Sequence, residues 1–589
     1  MGRSVTLHPE ACTQPSGQVT QADFHDPSHP IDMSGPAPKP SQPGCQPEPH
    51  VRRAGCATRG ERAPRSPIRV WPGGCGRGWP LHGVTATREF ESLALAAEPD
   101  AALMRRAGAA VARWALAMRP HARTWWVAVG PGGNGGDGSF AAARLAKMGL
   151  DVRLSVHADP GRLPDDARRG LAAAEQAGVR VMSSPTVGEP PDAIIDALLG
   201  IGVSRPPEGR VLQGIEAIGG SAAPCLSIDL PSGLDADTGR TLGQKAVTAA
   251  ATLSLLTLKP GLFTGAGRRH AGQVWLESLG WDAPCAQGAA ACGPSALLLG
   301  SQHEQPAWSV RTEEQHKGHF GDAVVIGGAA GMPGAARLAA HAALAAGAGR
   351  TFLVSLDAAA PAGDPLRPEL MCRRPAALQD EAWLGQSTVV CGCGGGTAVA
   401  ESLPQVLRHA ARLVLDADAL NAIARDPALQ SMLQGRSAAG RWTVMTPHPL
   451  EAARLLGCST ADVQADRYAA AAELSRRWQC TAVLKGSGTL VDTPGLMPAV
   501  NPTGGPMLAT AGTGDVLAGW IGGLWAQAPQ GCGSERERAH EAACASVWRH
   551  GRAAESGFLG MPSGRALDLI EAMRSSARRE FGDGRPCPT

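Results

Sequence analysis

From residue 84 onward, short continuous apolar runs alternate with longer segments whose apolar residues recur at helical spacing. Such runs, bounded by turn signals, read as strands buried on both faces, and the 3.6-residue period reads as amphipathic helix. The first half predicts a helix over 91–118, a strand over 124–129 (TWWVAV), a Gly-rich turn at 130–138 and a helix over 139–148. Further strands are predicted at 151–157, at 193–195 and at 225–228, and this unit runs to about residue 285. A second series begins at Gly321, with strands at 322–327, 350–356, 387–391, 412–415, 441–446 and 481–484. Its helices are predicted at 334–347, 398–411 and 460–478, and long helices at 514–527 and 537–555 close the chain. Strands alternating with helices of this length imply parallel, doubly wound sheets. The expected fold is α/β, with two tandem three-layer αβα domains at 81–285 and 312–580.

The flanking segments have a different texture. Residues 1–80 hold 14 prolines and no periodic apolar stretch, which predicts a disordered or spuriously translated extension. Residues 286–311, rich in Pro, Ala, Gly and Ser, read as a linker. Lys+Arg 55 against Asp+Glu 53, with 4% aromatic residues, argues against a nucleic-acid partner. The fifteen cysteines are scattered without a CxxC pair, so neither a zinc site nor a disulfide framework is expected, and a cytoplasmic location is the default. No stretch reads as a membrane span or secretory signal; Val516–Ala528, the best candidate, is short and holds three glycines.

Candidate chemistry gathers where strands end. Residues 130–138 (GPGGNGGDG) carry six glycines in nine positions between a strand and a helix, which lets a ligand approach the backbone. Asn134 and Asp137 add polar groups that a plain turn does not need. Two more clusters follow strands, Asp196–Gly202 (DALLGIG) and 227–235 (SIDLPSGLD). Asn134, Asp196 and Ser232 are oxygen ligands suited to a hard cation such as K⁺, although Asp and Ser after a strand also cap backbone N–H groups.

In the second half, Gly512-Thr513-Gly514-Asp515 opens a helix. An aspartate there would repel phosphate; it suits a base taking the proton from a hydroxyl that attacks a phosphoryl group, or a charge favourable to the helix dipole. Lys485-Gly486-Ser487-Gly488-Thr489 resembles a nucleotide-phosphate hairpin without being a P-loop. His448 in TPHPLE follows a strand and is read as a ligand contact. Asp416-Ala417-Asp418-Ala419-Leu420-Asn421 could hold Mg²⁺, directly or through water, or cap the next helix.

The loop at 130–138, the DALLGIG segment, DLPSGLDADTG (229–239) and LKPGLFTGAG (258–267) together resemble the NAD(P)H-hydrate epimerase family over roughly 84–280. That resemblance implies a Rossmann-like domain with K⁺ on Asn134, Asp196 and Ser232. Substrate contacts are implied at Gly133, Asn134, Gly135, Gly136 and Asp137, at Gly200, Ile201, Gly202, Val203, Ser204, Arg205 and Pro206, and at Asp229. Asp229 is the expected proton-transfer residue at C6 of the hydrated nicotinamide ring, with Lys259 a weaker rival. Gly133 departs from the family, which usually has a second asparagine there.

KGHFGDAVVIGG (317–328), MPGAA (332–336), RPELM (367–371), DADALN (416–421), TPHPLEAARLLG (446–457), LKGSGT (484–489) and AGTGDVLAG (511–519) resemble the ribokinase-like NAD(P)H-hydrate dehydratase family over about 312–560. By that resemblance Ala335, Gly394, His448 and Asp515 contact the hydrated dinucleotide, while Lys485–Thr489 and Gly514 contact the adenine nucleotide. Gly392-Cys393-Gly394-Gly395-Gly396 departs from a pattern closer to GPGLG, and Ala511 stands where glycine is usual. The implied enzyme is bifunctional: it interconverts R and S hydrates of NADH and NADPH, then dehydrates the S form with ADP as co-substrate and Mg²⁺, releasing AMP and phosphate. A homo-oligomer is also implied. Three other readings stay open: a sugar-kinase-like second half, a non-catalytic first half, and an interaction role for the extension.

Overall fold

The computed structural model describes residues 66–71, 78–97, 102–182, 190–281, 293–306, 308, 311–529, 531, 533–558 and 564–582. The chain divides into Met1–Glu61 and Arg62–Thr589, and all described residues lie in the second unit. In chain order the strands are β1 (Ile68–Trp71), β2 (Trp79–Leu81), β3 (Thr124–Val129), β4 (Asp151–Val156), β5 (Arg180–Met182), β6 (Ala193–Ala197), β7 (Cys225–Ile228), β8 (Ala251–Leu255) and β9 (Gln273–Glu277). They continue as β10 (Ala296–Leu298), β11 (Asp322–Gly327), β12 (Arg350–Ser355), β13 (Met371–Arg373), β14 (Thr388–Cys391) and β15 (Arg412–Leu415). The last four are β16 (Trp442–Met445), β17 (Thr481–Leu484), β18 (Leu490–Asp492) and β19 (Ala499–Val500).

Two sheets result. The first has the order β1-β9-β8-β7-β6-β3-β4-β5 and is parallel except for β1. The second has the order β13-β12-β11-β14-β15-β16-β17-β18-β19-β10-β2, parallel from β13 through β17. Because successive strand residues point to opposite faces, both sheets bury apolar residues twice. Val127 and Val129 of β3 join one core cluster, and Trp126 and Ala128 join another. Likewise Val324 and Ile326 of β11 face one cluster and Val325 the other. Helices on both faces complete the expected three layers.

The sheets are not independent beads on a linker. Strand β10, inside the predicted linker, pairs in parallel with β19 and antiparallel with β2, so it belongs to the second sheet. Of the predicted 286–311 linker, residues 286–292, 307, 309 and 310 lie outside the described residues. The predicted disordered extension is corrected similarly: residues 1–65 and 72–77 lie outside the described residues, but β1 edges the first sheet and β2 edges the second. Leu81, Leu258, Leu262 and Phe263 share one buried cluster with Leu484, Leu490 and Val500, so a single core runs between the halves.

Three predicted helices also change. The segment 91–118 forms two helices, Val84–Ala97 and Ala102–Met118. The helix predicted from 139 begins at Gly133, so most of the Gly-rich segment is helical. The segment 460–478 breaks at Asp466, whose carboxylate accepts from Ala469 N at 2.9 Å and caps the second piece. Among the described residues, no helix is long and apolar enough to cross a membrane.

Candidate active sites at two switch points

In the first sheet the chain builds outward from β3 to β5, then returns to place β6 on the other side of β3. Loops leaving β3 and β6 therefore diverge and open a crevice at the strand C-termini. It forms a cavity of about 820 Å³ lined by Gly133, Asn134, Asp137, Gly200–Val203, Asp229 and Lys259. Gly135 and Gly136 instead support the helix start: a Cβ on Gly135 would lie 2.2 Å from Gly130 O, and one on Gly136 would lie 2.4 Å from Met104 Sδ. Ser204, Arg205 and Pro206 are exposed beyond the cavity lining.

Asp229 is buried and has a left-handed backbone, φ 65°, an uncommon state for a residue other than glycine. Its Oδ1 pairs with the fully buried Lys259 ammonium and accepts from Leu255 N at 3.2 Å. The ammonium also lies within hydrogen-bond reach of Leu255 O at 2.8 Å, Thr257 O at 3.0 Å and Ser254 Oγ at 3.3 Å, which share its remaining two donors. The lysine thus orients the carboxylate from behind. Burial, then the Asp229 and Glu91 carboxylates, push Asp137 well above the ordinary carboxylate range. Burial and Asp229 raise Glu91 as well. Sequence reasoning missed Glu91, because an acidic residue in an amphipathic helix carries no mark of a cavity wall.

Asn134, Asp196 and Ser232 converge as expected. The fully buried Asp196 carboxylate accepts from Ser232 Oγ at 2.6 Å, Ser232 N and Ser227 Oγ at 2.9 Å, and Leu198 N at 3.2 Å. Leu199 O joins them, accepting from Asn134 Nδ2 at 3.0 Å. Both readings of these residues are therefore visible: they hold loop backbone, and they gather hard oxygens. Burial raises the Asp196 pKa against these hydrogen bonds. Its hydrogen bonds come only from hydroxyls and amides, so the charge balance fits a monovalent cation.

The second sheet has its own switch point, between β11 and β14. Cys393 Sγ and carboxylate oxygens of Asp416 and Asp515 lie within 4.8 Å of one another, on the segments after β14 and β15 and at the start of helix Thr513–Ala526. Lys485, after β17, pairs with Asp416 at 2.7 Å. A Cβ on Gly514 would sit 3.4 Å from Lys485 Nζ, and one on Gly394 would sit 2.8 Å from Ala335 Cβ, so these expected contacts are neighbours. Burial, then Asp416, push Asp515 up to about 6. For Lys485 the Asp416 and Glu451 carboxylates outweigh burial, which acts to lower it, and hold it above its ordinary value. Burial, then the Asp515 and Asp416 charges, push the Cys393 thiol well above its ordinary value.

His448 has a local task. Its Nδ1 accepts from Leu450 N at 3.1 Å and its backbone N–H donates to Glu451 Oε2 at 2.8 Å, a capping box on helix Pro449–Leu456. Its half-exposed ring still faces the charges of Lys485 and Asp416. Burial raises Glu451 to about 7, making it a further titratable group that the sequence reading quoted without a role. The three-residue His–Glu spacing could have revealed it. In the DADALN segment, Asp418 accepts from Gly396 N at 2.8 Å and Asn421 accepts from Arg454 at 2.6 Å, leaving Asp416 as the carboxylate facing the site.

These two centres, one pairing a carboxylate with a buried ammonium and the other setting a raised carboxylate beside a Gly-rich hairpin and lysine, define a two-site α/β enzyme. Residues 323–571 match the family model described as NAD(P)H-hydrate dehydratase, and residues 100–261 match that of the YjeF-related protein N-terminus. The bifunctional NAD(P)H-hydrate repair enzyme Nnr of Escherichia coli (strain K12) is 35% identical over 82% of this chain and 90% of its own length. The enzyme of the same name from Coxiella burnetii is 35% identical over 80% and 93%. A solved ADP/ATP-dependent NAD(P)H-hydrate dehydratase from Bacillus subtilis aligns at 27% identity over 46% of this chain and 93% of that chain, with a TM-score of 0.37. The chain belongs to the bifunctional NAD(P)H-hydrate repair enzymes, with an epimerase domain followed by a dehydratase domain.

Proposed function

We propose that Asp229 is the proton-transfer residue in the epimerisation at C6 of R- and S-NAD(P)HX, with Lys259 positioning its carboxylate. Asp515 takes the proton of the C6 hydroxyl of the S epimer as that oxygen attacks the terminal phosphoryl of ADP. The O–P bond formed replaces the bond to AMP. Phosphate then leaves from C6, the ring loses a proton, and NADH or NADPH is restored. The Lys485–Thr489 hairpin and the amides at Gly514 hold the phosphoryl groups. The observation that carries this reading is the convergence of Asp515, Asp416, Lys485 and Gly514 beside Cys393.

Two ions belong to the proposal. Asn134, Asp196 and Ser232 would hold K⁺, whose fixed charge would neighbour the hydrate in the first cavity. Asp416, an oxygen ligand beside the phosphate loop, would hold Mg²⁺ through water, and that ion neutralises phosphoryl charge when bound. A homo-oligomeric state is part of the same reading.

The test is recovery of reduced dinucleotide from mixed R and S hydrates with ADP, Mg²⁺ and K⁺. Full recovery faster than spontaneous epimerisation is expected. Asp515→Asn should stop dehydration and spare epimerisation, and Asp229→Asn should limit recovery to the S fraction. Loss of both activities in either folded variant overturns the division of labour, and a stable phosphorylated product would favour a kinase.

A further inference from the structure

The loop after β17 has a carbonyl edge held by protein and an amide edge that, beyond the Lys485 N–H on Pro447 O at 3.0 Å, is open from Gly486 to Thr489 among the described residues. On the carbonyl edge, Arg467 Nη2 donates to Leu484 O at 3.1 Å, to Lys485 O at 3.2 Å and to Gly488 O at 3.5 Å. Ser487 O accepts from Gly265 N at 3.0 Å and from Thr264 Oγ1 at 3.4 Å, and Thr264 Oγ1 also reaches Gly488 O at 3.4 Å. Arg467 Nε in turn donates to Thr264 Oγ1 at 3.2 Å, tying the two residues together. On the amide edge, no acceptor among the described residues takes the N–H of Gly486, Ser487, Gly488 or Thr489. Successive free N–H groups in a turn form an anion-binding concavity.

Thr264 and Gly265 belong to the LKPGLFTGAG segment of the epimerase half, five and six residues beyond Lys259. The approach is close: a Cβ on Gly488 would lie 2.0 Å from Phe263 O. Arg467 is fully buried, and burial lowers its pKa to about 10. Among the described residues its hydrogen-bond partners are backbone carbonyls, Thr264 and the Gln464 amide oxygen, at 2.9 Å, and none is a carboxylate. A buried guanidinium behind an open row of amides supplies positive charge without neutralisation at that position.

We propose that Thr264 of the epimerase half and Arg467 are positioning residues for the nucleotide site of the dehydratase half, holding the carbonyl edge of the 484–488 loop so that its amide edge receives the nucleotide phosphates. This rests on the reading of residues 485–489 as the adenine-nucleotide loop. The site is then composite, and a side chain from one catalytic half sets the affinity of the other.

The test uses the full chain with Thr264→Val, Thr264→Ser and Arg467→Lys. ADP binding is measured by calorimetry, alongside kcat and the KM values for ADP and the S hydrate. Thr264→Val is expected to weaken ADP binding and raise its KM about five- to tenfold, with kcat and the hydrate KM within about twofold. Thr264→Ser keeps the hydroxyl and should restore wild-type affinity. Arg467→Lys should move ADP affinity in the same direction; should it not fold, the threonine pair decides. Unchanged ADP affinity in Thr264→Val, or equal weakening of ADP and hydrate, overturns the proposal. Wild-type protein that binds ADP without dehydrating the hydrate overturns the functional reading alone, because the variants' ADP affinities still judge the positioning role. Wild-type protein binding neither ADP nor ATP overturns both.

Discussion

Asp515 shows how one side chain acquires its chemistry from its address. An ordinary aspartate is too weak a base near neutrality; burial and the Asp416 charge raise this one to about 6. A base must be ionised to accept a proton, so dehydration should fall as pH drops through about 6 and level off above it, read as kcat against pH. Asp515→Asn removes the acceptor and should cost about 10²–10⁴-fold in kcat. Gly133 offers a second test. A Cβ there meets only Met104 Cε, at 3.9 Å, so the cavity has room for the asparagine usual in the family. Gly133→Asn should leave the melting temperature unchanged or higher and raise the epimerase kcat/KM; a fall would mean the glycine itself is used. Such residues were legible because their Gly-rich motifs stand at helix starts. Glu91 was not, since its role comes from a helix folding back over the crevice.

The dehydratase base stands on helix Thr513–Ala526, which lies unusually close to helix Pro333–Ala345. A Cβ on Gly519 would sit 2.0 Å from Ala339 O, and one on Gly523 would sit 2.2 Å from Ala343 O. Gly519→Ala should force the helices apart and cost about 1–3 kcal/mol. Denaturant unfolding measures that loss, and dehydration should drop while epimerisation persists below the melting temperature. The same physics explains a misplaced boundary. Glycines depress helix propensity, so the sequence suggests a helix only from Ser139. Packing of Gly133–Lys147 against Ala102–Met118 overrides this, with Gly136 against Met104 and Gly108 against Phe140. Strands β3, β7, β11, β15 and β17, by contrast, were legible to the residue, because burial on both faces favours a mainly apolar run, whereas buried β8, whose run Thr252 and Ser254 interrupt, was not predicted.

Across the whole molecule, the two halves share structure as well as a reaction sequence. Leu81 has no exposed surface and sits in the core cluster that joins Leu258 and Phe263 to Leu484 and Val500. Leu81→Ala should cost about 2–5 kcal/mol, and thermal inactivation should move both activities down together along one unfolding transition. Inactivation of the dehydratase alone would show that the halves unfold separately. The alternating pattern predicted two domains well, but it was silent on β2 and β10. Each is three residues long, too short for a periodicity, and neither is paired with a strand adjacent in the chain.

Strand β2 also sets a timetable. It leaves the ribosome before any other part of the second sheet, yet its partner β10 follows about 215 residues later and β19 about 200 residues after that, at ~5–20 residues per second. For tens of seconds the nascent chain carries a strand with no sheet to join, while the first sheet can already close around β3. Split genes that separate the halves would leave β10 without that edge cover for good, and an uncovered edge pairs with other chains. Synthesis as one polypeptide thus protects the second sheet from aggregation.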